Sequence, residues 1–127
     1  MIKAADKLQK PIVLLVEDDP SVRRSLQLVL QGSGFQVRSH ATGAALLADP
    51  NVGSAHAIVA DYRLPDGDGV RLLQDLRKAG FRGQAILVTG FSSPELEIGA
   101  RAAGYARMLE KPLADRVLRE TMAGLFS

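Results

Sequence analysis

Three carboxylates in a row, Glu17, Asp18 and Asp19, follow the aliphatic run "IVLLV" (12–16), and a further acid, Asp61, closes the run "AHAIVA" (55–60). Carboxylates resist leaving water and repel one another, so acids gathered at the mouths of apolar runs need a counter-charge. If Glu17, Asp18 and Asp61 share one place, a hard, oxygen-preferring cation such as Mg²⁺ suits them better than zinc. Two more apolar runs end in chemistry: "QAILVT" (84–89) in Thr89 beside Gly90, and "YARMLE" (105–110) in Lys111. Together, Mg²⁺ and an ammonium group can neutralise the equatorial oxygens of a phosphoryl group while a carboxylate attacks in line and forms an acyl phosphate. Asp61 is the candidate nucleophile, because it stands by itself while Glu17 and Asp18 form a pair suited to holding metal. Gly90 leaves the space an incoming donor needs.

These residues meet only if the runs that carry them lie side by side and end at one level. Short apolar runs alternate with longer amphipathic stretches, the rhythm of βα units around a parallel sheet. Strands are expected at 12–16, 35–39, 55–60, 84–89 and, more weakly, 105–110. The first helix opens with Asp19 as N-cap and Pro20 at its first position, keeps Val22, Leu26, Val29 and Leu30 on one face, and ends at "GSG" (32–34). The others are expected across 42–49, after the turn formers "LPDGDG" (64–69) with Val70, Leu73 and Leu76 facing inward, across 93–104, and across 113–126 with Leu113, Val117, Thr121 and Leu125 nearest the core. The fold class is therefore α/β, a doubly wound five-stranded parallel sheet, (βα)5 and flavodoxin-like, with helices on both faces. Ligands of such sheets bind beyond the carboxyl ends of the strands, where Glu17, Asp18, Asp61, Thr89 and Lys111 all fall.

At 127 residues the chain fits one domain, expected over 11–127 after an N-terminal extension, 1–10. It has no cysteine, which excludes thiol catalysis and disulfides, and its two histidines, His40 and His56, make a zinc site improbable on composition. Sixteen basic against 14 acidic residues give a net charge of +2. No basic run with interleaved aromatics suggests a nucleic-acid groove, and no apolar run approaches the roughly 20 residues that span a bilayer. The reading is a soluble, cytoplasmic protein that contacts neither nucleic acid nor membrane.

"LLVEDDP", "DYRLPDGDG", "ILVTG" and "EKPL", in that order along nearly the whole chain, resemble the receiver domain of bacterial two-component response regulators. The resemblance implies that Asp61 accepts a phosphoryl group from a phosphohistidine on a sensor histidine kinase or histidine phosphotransfer protein. It implies that Asp18, Asp61 and the main-chain carbonyl of Arg63 bind Mg²⁺ directly and that Glu17 helps through water. By the same matching, Thr89 hydrogen-bonds the phosphoryl group, Lys111 pairs with it, and the Lys111–Pro112 bond stands at a position that is often cis. One departure concerns signalling. Where many receivers carry an aromatic switch residue, three positions before the lysine, this chain has Met108. Tyr105 is expected on the opposite strand face by period-two alternation. In a module that signals by itself, the surface of the fourth helix, fifth strand and fifth helix is expected to bind a partner or form a homodimer.

Other acids have simpler explanations: Asp19 caps a helix, and Asp66 and Asp68 form a turn that opens one, since "LPDGDG" lacks the ligand spacing of a calcium loop. His40 and His56 have no paired base or nucleophile. Phe91 and Tyr105 either pack or line a partner surface. Two other functions compete. A Mg²⁺-dependent aspartyl-phosphate phosphohydrolase needs a second acid two residues after the nucleophile, where this chain has Arg63. A nucleotide or flavin binder of the same topology needs a glycine-rich phosphate loop after the first strand, where this chain has acids. An alternative within the leading reading is a receiver excised from a hybrid kinase or multidomain regulator.

Overall fold

The computed structural model of the chain describes residues 10–126. The expected extension, apart from Lys10, lies outside those residues. Five parallel strands form the main sheet: β1 (Ile12–Val16), β2 (Gln36–His40), β3 (Ala57–Asp61), β6 (Gln84–Thr89) and β7 (Arg107–Glu110), in the spatial order β2-β1-β3-β6-β7. Strands β4 (Arg63–Leu64) and β5 (Gly67–Asp68) make a small antiparallel hairpin. The helices are α1 (Pro20–Gly32), α2 (Gly43–Leu47), α3 (Gly69–Lys78), α4 (Pro94–Ala103) and α5 (Asp115–Leu125).

The central strands are aliphatic on both faces because both are covered. Leu14, Val16, Ile58, Ala60, Ala85 and Leu87 pack on one side with Leu46 of α2, Leu72, Leu73 and Leu76 of α3 and Ala100 of α4. Their alternate neighbours Val13, Leu15, Ala57, Val59, Ile86 and Val88 pack on the other with Leu26 and Leu30 of α1 and Leu118 and Met122 of α5. Each fully buried Leu or Ile contributes on the order of 1.5–3 kcal/mol relative to an exposed one. The two cores fix the strand register, because a one-residue slip would exchange one face for the other.

Local chemistry sets the helix ends. Asp19 caps α1, its Oδ1 accepting from the Ser21 and Val22 amides at 2.9 and 3.1 Å, with Pro20 next. Thr42, Asp68 and Ser93 cap α2, α3 and α4 in the same manner. Gly104 ends α4 in the left-handed conformation, at φ 111°, which a side chain would strain.

Several expectations need correction. Strand β2 is shifted one residue, to 36–40, and so includes His40. Helix α2 spans only Gly43–Leu47, because Asp49 turns back to Arg38 and His40 of β2. On α5 the fully buried residues are Leu118 and Met122, with Val117 and Thr121 only partly covered. Leu113 and Leu125 pack against the same layer as expected, and the inward face is centred on Leu118 and Met122. Strand β7 starts at Arg107, so period-two alternation does not reach Tyr105. Tyr105 and Met108 contact the same core cluster.

Candidate functional site

Strands β1 and β3 are neighbours, with Val16 opposite Ala60, so Glu17 and Asp61 leave the sheet side by side. Glu17 is 1% exposed and Asp61 9%, while Asp18 projects into solvent. One carboxylate oxygen from each of the three lies within 4.8 Å of the others. Lys111 supplies the compensating charge from β7: its amide donates to the Thr89 carbonyl at 2.8 Å, and its Nζ donates to Glu17 Oε1 at 2.5 Å and Asp61 Oδ2 at 3.1 Å. Partial burial by itself would lower the Lys111 pKa, but the two carboxylates outweigh it and hold the ammonium above the ordinary lysine range.

The single ammonium of Lys111 therefore offsets only one of the two negative charges on Glu17 and Asp61, and Asp18 has no ion-pair partner among the described residues. Three hard oxygen donors with this charge surplus fit Mg²⁺, which prefers carboxylates and retains water ligands. Arg63, whose side chain is exposed, sits in the hairpin directly after Asp61, opposite Asp68.

Thr89 ends β6 in a buried position, and its hydroxyl bonds within its own loop, donating to the Phe91 carbonyl at 2.8 Å and accepting from the Phe91 amide at 3.1 Å. The structure does not bond it to the acids. Gly90 is exposed, and a Cβ there would meet nothing within 4 Å. The Lys111–Pro112 bond is cis. Phe91 and Tyr105 part company: Phe91 is 73% exposed and Tyr105 is buried.

Three features escaped the sequence reading. Arg23 of α1 donates to the Glu17 carbonyl at 2.8 Å and to that of Asp18 at 3.4 Å, holding the backbone of the acidic loop. Asp66, expected only as a turn former, accepts from the Gly43 and Ala44 amides at 3.0 and 2.9 Å and so ties the loop after Asp61 to the start of α2. Asp49 is buried and takes both oxygens to Arg38 Nε, at 2.9 and 2.8 Å, and one to His40 Nε2 at 2.7 Å. An arginine on an amphipathic helix, an acid at a helix end and an acid in a turn all read as solvated in sequence, so only their partners in the fold reveal these roles.

The sequence model of the response regulator receiver domain matches residues 13–123. "Transcriptional regulatory protein FixJ" of Rhizobium meliloti (strain 1021) is 35% identical over 111 residues, covering 87% of this chain and 54% of that protein. "Sensor histidine kinase RcsC" of Salmonella typhimurium (strain LT2) is 29% identical over 121 residues, covering 95% of this chain and 13% of that one. The chain thus spans about half the length of FixJ. Among solved structures, a CheY-like receiver domain protein from Methanospirillum hungatei JF-1 superposes with a TM-score of 0.82 at 28% identity, covering 91% of this chain and 93% of that one. The Vibrio cholerae chemotaxis protein CheY4 gives 0.85 at 25% identity, covering 92% and 99%. The match spans nearly the whole described fold, and the chain belongs to the response regulator receiver domain family of two-component signalling.

Proposed function

We propose that Asp61 is the phosphoacceptor of this receiver domain and that residues 11–127 form the single unit that carries it. The observation supporting this most directly is the meeting of Glu17, Asp18 and Asp61 within 4.8 Å, with Lys111 bridging the two buried acids. An Asp61 carboxylate oxygen attacks phosphorus, the P–N bond of the donor phosphohistidine breaks, and its electron pair returns to the imidazole, leaving an acyl phosphate on Asp61. Asp18, Asp61 and the Arg63 carbonyl would hold Mg²⁺ directly, with Glu17 acting through water. When bound, the ion supplies charge neutralisation at the phosphoryl oxygens. Lys111 pairs with the phosphoryl group once Asp61 carries it. The Thr89 hydroxyl leaves Phe91 to donate to that group, and the open space at Gly90 admits the donor.

The domain catalyses its own phosphorylation and dephosphorylation and turns over no metabolite. Its partners are a sensor histidine kinase or histidine phosphotransfer protein in the cytoplasm, and the α4–β7–α5 surface, where Phe91 and Ile98 are 73% and 69% exposed, carries the output contact or a homodimer. Added charge can move that surface by no more than its differential interaction with the two states. Arg63 argues against the phosphohydrolase alternative, because a guanidinium does not give up its proton at neutral pH.

Intact mass after incubation with acetyl phosphate tests the reading. Wild type is expected to gain one phosphoryl group only with Mg²⁺, and Asp61→Asn to gain none while keeping its melting temperature. Labelling of Asp61→Asn on the same scale as wild type would sink the assignment.

A further inference from the structure

Tyr105 joins the end of α4 to the back of the candidate acceptor. It is 4% exposed, its amide donates to the Ala100 carbonyl at 3.0 Å, and its hydroxyl donates to the Gly69 carbonyl at 2.7 Å, across 36 residues of chain. Gly69, the first residue of α3, is wedged against the acceptor peptide. Its amide donates to the Tyr62 carbonyl at 2.7 Å, and a Cβ on it would come within 2.8 Å of the Asp61 carbonyl oxygen and within 3.3 Å of Tyr62 Cα. On the opposite side, the Tyr62 amide donates to the Val88 carbonyl at 2.9 Å. The Asp61–Tyr62 peptide is therefore gripped between β6 and Gly69, and Gly69 is held from behind by Tyr105.

We propose that Tyr105 is a positioning residue for phosphotransfer: through Gly69 its buried hydroxyl sets where the Asp61 backbone, and with it the attacking carboxylate, stands. The proposal rests on the reading of Asp61 as the acceptor. In-line attack is steep in distance, so a small drift of the acceptor costs rate while leaving the fold in place. Burial pushes the Tyr105 phenol well above the ordinary tyrosine range, so the hydroxyl keeps its proton, and its ability to donate, throughout the neutral range. Met108 lies against the same cluster without a donor of this kind. The strap from the acceptor to the end of α4 thus runs through residue 105.

The test compares wild type, Tyr105→Phe, Tyr105→Leu and Asp61→Asn for the rate of labelling by acetyl phosphate at saturating Mg²⁺, at a temperature where melting curves show all four folded. The amide resonances of Tyr62 and Gly69 are followed in parallel. Tyr105→Phe keeps the ring and loses only the hydroxyl; it is expected to label on the order of tenfold more slowly, with the two amide resonances displaced. Tyr105→Leu, which also loses packing, is expected to melt lower and to label as slowly as the Phe variant. Equal labelling of wild type and Tyr105→Phe would overturn the proposal and leave the acceptor reading standing, as would slow labelling confined to Tyr105→Leu, which would make the role one of packing. A wild type that takes no label would overturn the acceptor reading, and the positioning role with it.

Discussion

Lys111 serves two carboxylates at once, and that geometry sets how its removal is felt. Glu17 is 1% exposed and bonded to Lys111 at 2.5 Å, with Asp61 on the same ammonium at 3.1 Å. Lys111→Met would leave two buried like charges without their donor, so unfolding in denaturant is expected to show a loss of about 1–3 kcal/mol. The lysine's folded pKa is raised. Its contribution is therefore complete below the unfolded value of about 10.4 and fades only as pH rises through the folded one. The deficit of the variant should accordingly be flat between pH 6 and 9, and Mg²⁺ should restore part of it by supplying positive charge to the same acids. A deficit that changes across that window would contradict the pairing. These residues are legible in the sequence because each follows closely on an apolar stretch: Val16 before Glu17, Ala60 before Asp61, and Met108-Leu109 two places before Lys111. Tyr105 and Asp66 are not, because their partners, Gly69 and the Gly43–Ala44 amides, lie 36 and more than 20 residues away. Side-chain bonds to distant backbone leave no periodic trace.

At the level of the elements, the chain's own caps explain why most helix starts could be read. Asp19-Pro20 and Ser93-Pro94 combine a side-chain acceptor with a preset φ, and both open helices where expected. Helix α5 lacks a side-chain cap, and its two fully buried residues, Leu118 and Met122, are not among those expected nearest the core. Helix α2, only five residues long, depends on a second acceptor: Thr42 serves Ala45, and Asp66 reaches across from the β4–β5 turn to Gly43 and Ala44. Those backbone bonds hold the Asp66 carboxyl below the usual carboxylate range. The sign of the linkage follows: its stabilisation is present above the unfolded pKa of about 3.9 and is lost as pH falls through the lower folded value. Asp66→Asn is expected to lower the melting temperature at pH 7, with the gap to wild type closing below about pH 4. A gap of constant size across that range would show that the carboxylate's charge is not what holds α2. Hydrogen exchange of the Gly43 and Ala44 amides would register the same loss locally.

Across the whole molecule, the two hydrophobic layers and the one polar rim divide the labour. One layer binds α1 and α5 to the sheet, the other binds α2, α3 and α4, and the layers share only the strands. The site belongs to neither, since it begins at the level where both run out. Strand order alone was enough to bring Glu17, Asp61 and Lys111 together from far apart in the chain, which explains why the alternation of apolar runs foretold the fold more surely than it foretold any single contact. The β4–β5 hairpin is hidden because Leu64 to Asp68 read as turn formers, and the turn-back of Asp49 to β2 because the helix is expected to run through that residue, across 42–49. The matched register of β1 and β3, Val16 beside Ala60, also makes length a hidden constraint. Deleting one residue within β3 would withdraw Asp61 by about 3.3 Å and point it to the other face, whereas residues 50–54, at the opposite pole, form an irregular turn that precedes the strand. Evolution and the protein engineer can lengthen the chain at that pole and keep the chemistry; at the other, a single inserted or deleted codon should silence the site even where the fold survives.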